Sequence, residues 1–164
     1  QARKLMNKEL FRKKILTKLT ADYQLLLHAA KSSHAAATHE DNIPDSKYET
    51  LALESSYIAQ GQANRAQEIK QAIDAYRRMV IQNFTAQSDI RMSALVLLED
   101  DEGNEKWVFI GPAAGGLKIK HQGHEVTLIT PSSPLGEELI GRQLDDCFKL
   151  EGGAASEYEI IEIE

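Results

Sequence analysis

Cysteine is nearly missing from this sequence: Cys147 stands alone in 164 residues. That excludes an internal disulfide framework and a cysteine-rich zinc site, and it makes a reduced, cytoplasmic setting the expectation. Long apolar runs are missing as well. None approaches the roughly 18 residues that a membrane span needs, so no membrane is expected as a partner. The basic opening QARKLMNKELFRKK is not followed by an apolar stretch and does not read as a secretory signal. Helix breakers are scarce in the first half. Residues 1–88 hold one proline, Pro44, and one glycine, Gly61, while the other three prolines and nine glycines fall after residue 100. A stretch so poor in breakers and rich in Ala, Leu, Gln, Lys and Glu reads as long helices.

The net charge of −6 conceals a division. Residues 1–94 carry 14 Lys/Arg against 10 Asp/Glu, whereas residues 95–164 carry 5 against 15. An acidic total argues against a free-standing binder of duplex DNA, where affinity rests mainly on phosphate neutralisation. The basic positions Arg3, Lys4, Lys8, Arg12, Lys13, Lys14 and Lys18 read either as a solvated helix face or as a meeting point for phosphate.

Periodicity divides the chain in the same way. Leu16, Leu19, Tyr23, Leu26, Ala30, Ser33 and Ala37 alternate spacings of three and four, a heptad-like seam. Tyr48, Leu51, Ser55, Ile58, Gln62 and Arg65 follow the same rule, and the register then slips to Ile69, Ile73, Tyr76 and Val80. Between the two segments lies HEDNIPDS, residues 39–46. Pro44 disfavours helix at Ile43, Asp and Asn are turn formers, and Asp45 or Ser46 can cap the second helix. The expectation is an antiparallel helical hairpin over residues 1–88 with an acidic turn near 39–46. Arms of about 30 residues span roughly 45 Å at 1.5 Å per residue. An intramolecular hairpin makes the protein a monomer.

Residues 89–164 read as a small α+β domain. Strands are expected at Ser93–Glu99, Lys106–Gly111, Leu117–Lys120, Glu125–Thr130, Cys147–Leu150 and Glu157–Ile163. Between them SSPLGEELIG has the marks of a short helix. Ser133 sits at the cap, Pro134 at the first helical position, acids in the first turn, and Gly141 just past the end. The segment Gly111–Gly116 is glycine-rich, but no Gly-Lys-Ser/Thr follows, so it reads as a loop and not a phosphate cradle. His121 and His124 fall in a loop-like stretch without a cysteine partner, and zinc is not expected there. Cys147 reads as packed rather than nucleophilic. Trp107, Phe109, Phe148 and Tyr158 could line an apolar cleft, as in a peptidyl-prolyl isomerase, or fill an ordinary core.

Several of these runs, taken in order, resemble the Gre family of bacterial transcript-cleavage factors. They are Phe109-Ile110-Gly111-Pro112, Ser133-Pro134-Leu135-Gly136 through Leu139-Ile140-Gly141-Arg142, the pair Asp145-Asp146, and the ending Tyr158-Glu159-Ile160. The resemblance covers about residues 30–164. It implies an antiparallel coiled coil followed by a domain with an FK506-binding-protein (FKBP)-like fold. It also implies a transcription elongation factor that is no enzyme by itself. The globular domain docks on bacterial RNA polymerase, Ser132, Ser133, Pro134 and Leu135 lying in the contact region. The coiled coil enters the secondary channel and meets the nascent RNA 3′ end. There the tip carboxylates Asp41, Asp45 and Glu40 help hold a catalytic Mg²⁺ shared with the polymerase active site.

That chemistry suits the residues. Mg²⁺ takes oxygen ligands and is usually bound through one or two carboxylates while keeping waters. The family's tip reads roughly D-L-S-E-N-A-E-Y, against Asp41-Asn42-Ile43-Pro44-Asp45-Ser46-Lys47-Tyr48 here. Asp41 and Tyr48 match; Pro44 takes the place of the second acid, with Asp45 one position later. The departure favours an alternative, a Gre-like channel binder that regulates or inhibits polymerase without promoting cleavage.

Overall fold

A computed structural model of the chain describes residues 4–37, 46–152 and 157–164. The chain divides into two compact units, one of Leu16–Asp74 and one in which the residues up to Ile15 join Ala75–Glu164. No helix among the described residues is long and apolar enough to cross a membrane.

Two helices occupy most of the first half, α1 at Lys8–Ala37 and α2 at Ser46–Arg78. Within the helical unit, Leu27, Ala30 and Ala35 of α1 line a groove with Ser56, Ala59 and Ala63 of α2. On α1 the expected seam faces inward, with Leu19 and Ala30 buried and Leu16, Tyr23 and Leu26 half-buried. On α2 the inward stripe follows the expected one at Ser55, Gln62, Ile69 and Ile73 and departs from it at Leu51, Ile58 and Arg65. Ala59, Ala66 and Ile73 are buried at seven-residue spacing, with Ser55, Gln62 and Ile69 half-buried beside them. Leu51 and Ile58 are 50% and 55% exposed, and Arg65 and Val80 also face solvent. Leucine and isoleucine dominate a hydrophobicity pattern, but alanine on a seam lets two backbones approach. The small residues take the inside, and the large ones one position earlier are turned out.

The second unit is built on a six-stranded mixed sheet in the order β3-β4-β2-β1-β6-β5. Its strands are β1 Leu95–Asp100, β2 Glu105–Ile110, β3 Lys118–His121, β4 His124–Ile129, β5 Cys147–Lys149 and β6 Glu157–Ile163. All neighbours run antiparallel except β2 and β4. Strand alternation sends side chains to two faces. Val96, Leu98, Val108, Ile110, Ile129, Phe148 and Ile160 form one core with Leu139 of the short helix α3, Pro134–Leu139. Leu95, Leu97, Trp107 and Phe109 point the other way, and there Phe11 packs edge-on to Phe109 at 5.1 Å and against His121 at 5.3 Å. The first two turns of α1 and the last turn of α2 are therefore part of the sheet unit's own core.

Polar contacts fix that arrangement. The Lys8 ammonium donates to the carbonyls of Gln82 at 2.7 Å, Ser93 at 2.9 Å and Glu164 at 3.0 Å. It also sits 4.6 Å from the centre of the Phe84 ring. Burial lowers its pKa to about 8, and the nearby Glu164 opposes that shift. Arg12 caps the end of α2 through the carbonyls of Tyr76 at 3.4 Å and Arg77 at 3.2 Å. The stretch holding His121 and His124 is a two-residue hairpin turn rather than an open loop. Gln122 and Gly123 adopt φ of 49° and 82°, as a tight turn between twisted strands requires.

Candidate functional site

The SSPLGEELIG run folds as the sequence predicts, and its residues divide into anchors and surface. Ser133 is the N-cap of α3, with φ −69° and ψ 156°. Its hydroxyl donates to the Thr130 carbonyl at 2.7 Å and accepts the Gly136 N–H at 3.1 Å. Pro134 comes next, at the first helical position, where the missing N–H costs nothing. Gly136 and Leu139 are buried, and Leu135 packs partly against the core. Ser132, Pro134 and Glu137 are exposed, and Ile140 is 39% exposed. The structure thus brings Ser132, Ser133, Pro134 and Leu135 to one short surface helix. Ile140 joins that surface, although the sequence pattern alone does not distinguish it from Leu139.

The exit of α3 is held as firmly as its start. The Ile140 N–H donates to Gly136 O at 3.0 Å and the Gly141 N–H to Ile90 O at 2.9 Å. Gly141 has φ 85°, the left-handed conformation a helix end favours and glycine adopts without strain. Arg142 pairs with Glu138 at 3.0 Å and lies 5.3 Å from the Phe148 ring centre. The pair Asp145-Asp146 makes the turn into β5: the Asp146 carboxylate accepts the Gln143 N–H at 2.8 Å, and Ile160 bonds both backbones. Replacing Ser133 by alanine removes the cap and one partner of Thr130. A loss of about 1 kcal/mol is expected, read as a lower urea midpoint at unchanged slope.

The tip residues Glu40, Asp41 and Asp45, together with Pro44 and the turn they belong to, lie outside the described residues. Among the described residues no group of three or more His, Cys, Asp or Glu side chains could hold a metal ion.

One sequence expectation is corrected here, and one open alternative is narrowed. Cys147 is exposed, not packed; it is Phe148, the next residue on the strand, that turns inward. Partial desolvation of the thiol, and then the carboxylates of Glu159, Glu157, Asp146 and Asp145, raise its pKa and disfavour the thiolate. The four aromatic residues that could have lined one cleft are divided by the sheet. Trp107 and Phe109 lie on one face, while Phe148 belongs to the core of the other, stacked on Tyr158 at 5.6 Å.

No protein-family model and no curated protein matches the sequence. Among solved structures, the chain is similar to GreA factor homolog 1 (Gfh1) of Thermus thermophilus, with 20% identity, 93% of this chain and 94% of that one covered, and a TM-score of 0.40. It is similar to a second structure of the transcription factor Gfh1 at 21% identity, over 100% and 99% of the two chains, with a TM-score of 0.40. A third similar structure is a prokaryotic transcription elongation factor GreA/GreB from Nitrosomonas europaea, at 16% identity over 58% and 78%, with a TM-score of 0.35.

Proposed function

We propose that this chain is a Gre-like transcription elongation factor. In this reading residues 89–164 form an FKBP-like domain that docks on bacterial RNA polymerase through the surface around α3. Residues 1–88 act as an antiparallel coiled coil that enters the secondary channel as a monomer and modulates cleavage of backtracked RNA. The observation that carries the proposal is the S-P-L-G…L-I-G run. Its residues of family resemblance are held by a cap, a buried glycine and a buried leucine, which leaves Ser132 and Pro134 at the surface. Such a short, rigid helix presents the same side chains each time, which lowers the ordering cost of docking. Pro134→Ala, with the fold kept, is expected to weaken polymerase binding about tenfold, the effect of losing one good interface contact of about 1.4 kcal/mol. Unchanged affinity would remove α3 from the docking surface.

At the tip, Asp41 and Asp45, with Glu40 beside them, would contribute carboxylate oxygen to an Mg²⁺ shared with the polymerase. Such an ion stabilises charge on oxygens in phosphoryl displacement. If the factor stimulates cleavage, Asp41→Ala and Asp45→Ala should each lower the stimulated rate at least tenfold without lowering polymerase affinity. Pro44 favours the second reading, in which the chain occupies the channel and slows polymerase without stimulating cleavage. In that case both variants behave as the parent does.

A further inference from the structure

The seam expected on α2 is only partly used inside the chain. Leu51, Ile58 and Arg65 recur every seven residues and face solvent, and Glu54, Gly61 and Glu68 fall between them, also exposed. The spacings alternate three and four, so the six positions make one heptad stripe, about 26 Å long at 1.5 Å per residue. It lies one position, or about 100°, round the helix from the buried Ala59, Ala66 and Ile73. Tyr57, which flanks the stripe, is 69% exposed. Gly61 stands in the middle. Glycine is a poor residue inside a helix, and a Cβ there would meet nothing within 4 Å, so packing within the chain does not call for it. Glu54 and Arg65 likewise make no ion pair or hydrogen bond among the described residues.

We infer that this stripe is the interface of a homodimer, in which α2 packs antiparallel against α2 of a second copy of the chain. The stripe is self-complementary in one register. With a two-fold axis between positions 59 and 60, Ile58 faces the partner's Gly61, Glu54 faces the partner's Arg65, and Leu51 lies along the stem of the partner's Glu68. Each contact occurs twice, as a two-fold interface requires. Gly61 becomes the hole that receives an isoleucine knob, and each free carboxylate gains a guanidinium. A parallel pairing in register would instead set Glu54 on Glu54 and Arg65 on Arg65, and like charges at an interface work against the pairing. A stripe this narrow buries less than the roughly 1,600 Å² of a standard interface, so the dimer is weak and reversible. The monomer that the proposed function uses therefore persists at low concentration, and the inference does not rest on polymerase.

Sedimentation equilibrium of the full chain, from micromolar to millimolar concentration, tests the interface. The mass is expected to rise from one chain towards two. Glu54→Arg and Arg65→Glu each create two like-charge contacts in the dimer and should weaken association at least tenfold. The double variant exchanges the two charges and should restore most of it. Gly61→Gln should weaken association while raising helix stability, since glutamine is the better helix former, and a loss of folding cannot give that combination. The substituted positions are exposed, and circular dichroism checks that the helices persist. A parent protein that keeps the mass of one chain at every concentration overturns the inference, whatever the variants do. So does a dimer that the single charge reversals leave unchanged, or one that the double variant fails to restore.

Discussion

Alanine in place of Gly136 is expected to destabilise the sheet unit by about 3 kcal/mol, the upper part of the range for forcing atoms into a packed site. Helix propensity points the other way, since glycine to alanine inside a helix is ordinarily favourable by up to about 1 kcal/mol. The surroundings decide. A Cβ on Gly136 would collide with the Thr130 carbonyl oxygen and approach the Thr130 carbonyl carbon and the Ser133 Oγ to 2.9 Å each. That carbonyl is backbone, already accepting the Ser133 N–H at 3.1 Å and the Ser133 hydroxyl at 2.7 Å. It has nowhere to retreat without breaking the cap, so α3 must lift and Leu139 must leave the core. Urea unfolding of Gly136→Ala should show a much lower midpoint, with polymerase affinity falling alongside. A midpoint at or above the parent's would show that α3 is not seated as described.

Gly111→Ala is expected to cost about as much, around 3 kcal/mol, on the opposite face of the sheet. Tyr76 is fully buried, and its hydroxyl donates to the Ala113 carbonyl at 2.7 Å. A Cβ on Gly111 would overlap that hydroxyl and come within 2.9 Å of the ring carbon that bears it. The Gly111 N–H is bonded to Ile129 O at 2.8 Å, so the strand end cannot shift cheaply. Tyr76→Phe alone should cost about 1 kcal/mol through the lost hydrogen bond. In that background Gly111→Ala should cost at least about 1 kcal/mol less than in the parent, a coupling that a double-mutant cycle reads directly. Alkaline pH offers a second test of the same contact. Burial raises the Tyr76 pKa above its ordinary value. The folded state therefore favours the neutral phenol. The stability it contributes is intact below about pH 10 and is lost above it, and Tyr76→Phe should remove that portion of the alkaline loss.

The strands and α3 were legible in the sequence because each is short, bounded by turn residues and either alternating or capped. The expected helix of Ser133-Pro134 to Gly141 is the observed one, and Glu157–Ile163 has the bounds of β6. The α2 seam was legible at Ile69 and Ile73 but not at Ala59 and Ala66, which bury little and carry a weak hydrophobic signal beside Leu51 and Ile58. The inclusion of Phe11 and Tyr76 in the sheet unit was hidden for a different reason. Both sit within helical periodicity, and nothing local distinguishes a partner helix from a sheet as the surface they meet. The glycines at 111 and 136 read as turn or helix punctuation. Their role is space: neither has a positive φ, and each admits a neighbouring group where a methyl would stand.

The central claim concerns polymerase, and one rate tests it most directly: RNA cleavage by backtracked bacterial RNA polymerase, measured with and without a saturating concentration of this chain. The account predicts a changed rate, upward if the tip carboxylates reach the metal and downward if the hairpin only fills the channel. A rate that stays the same at every concentration of the chain would contradict it.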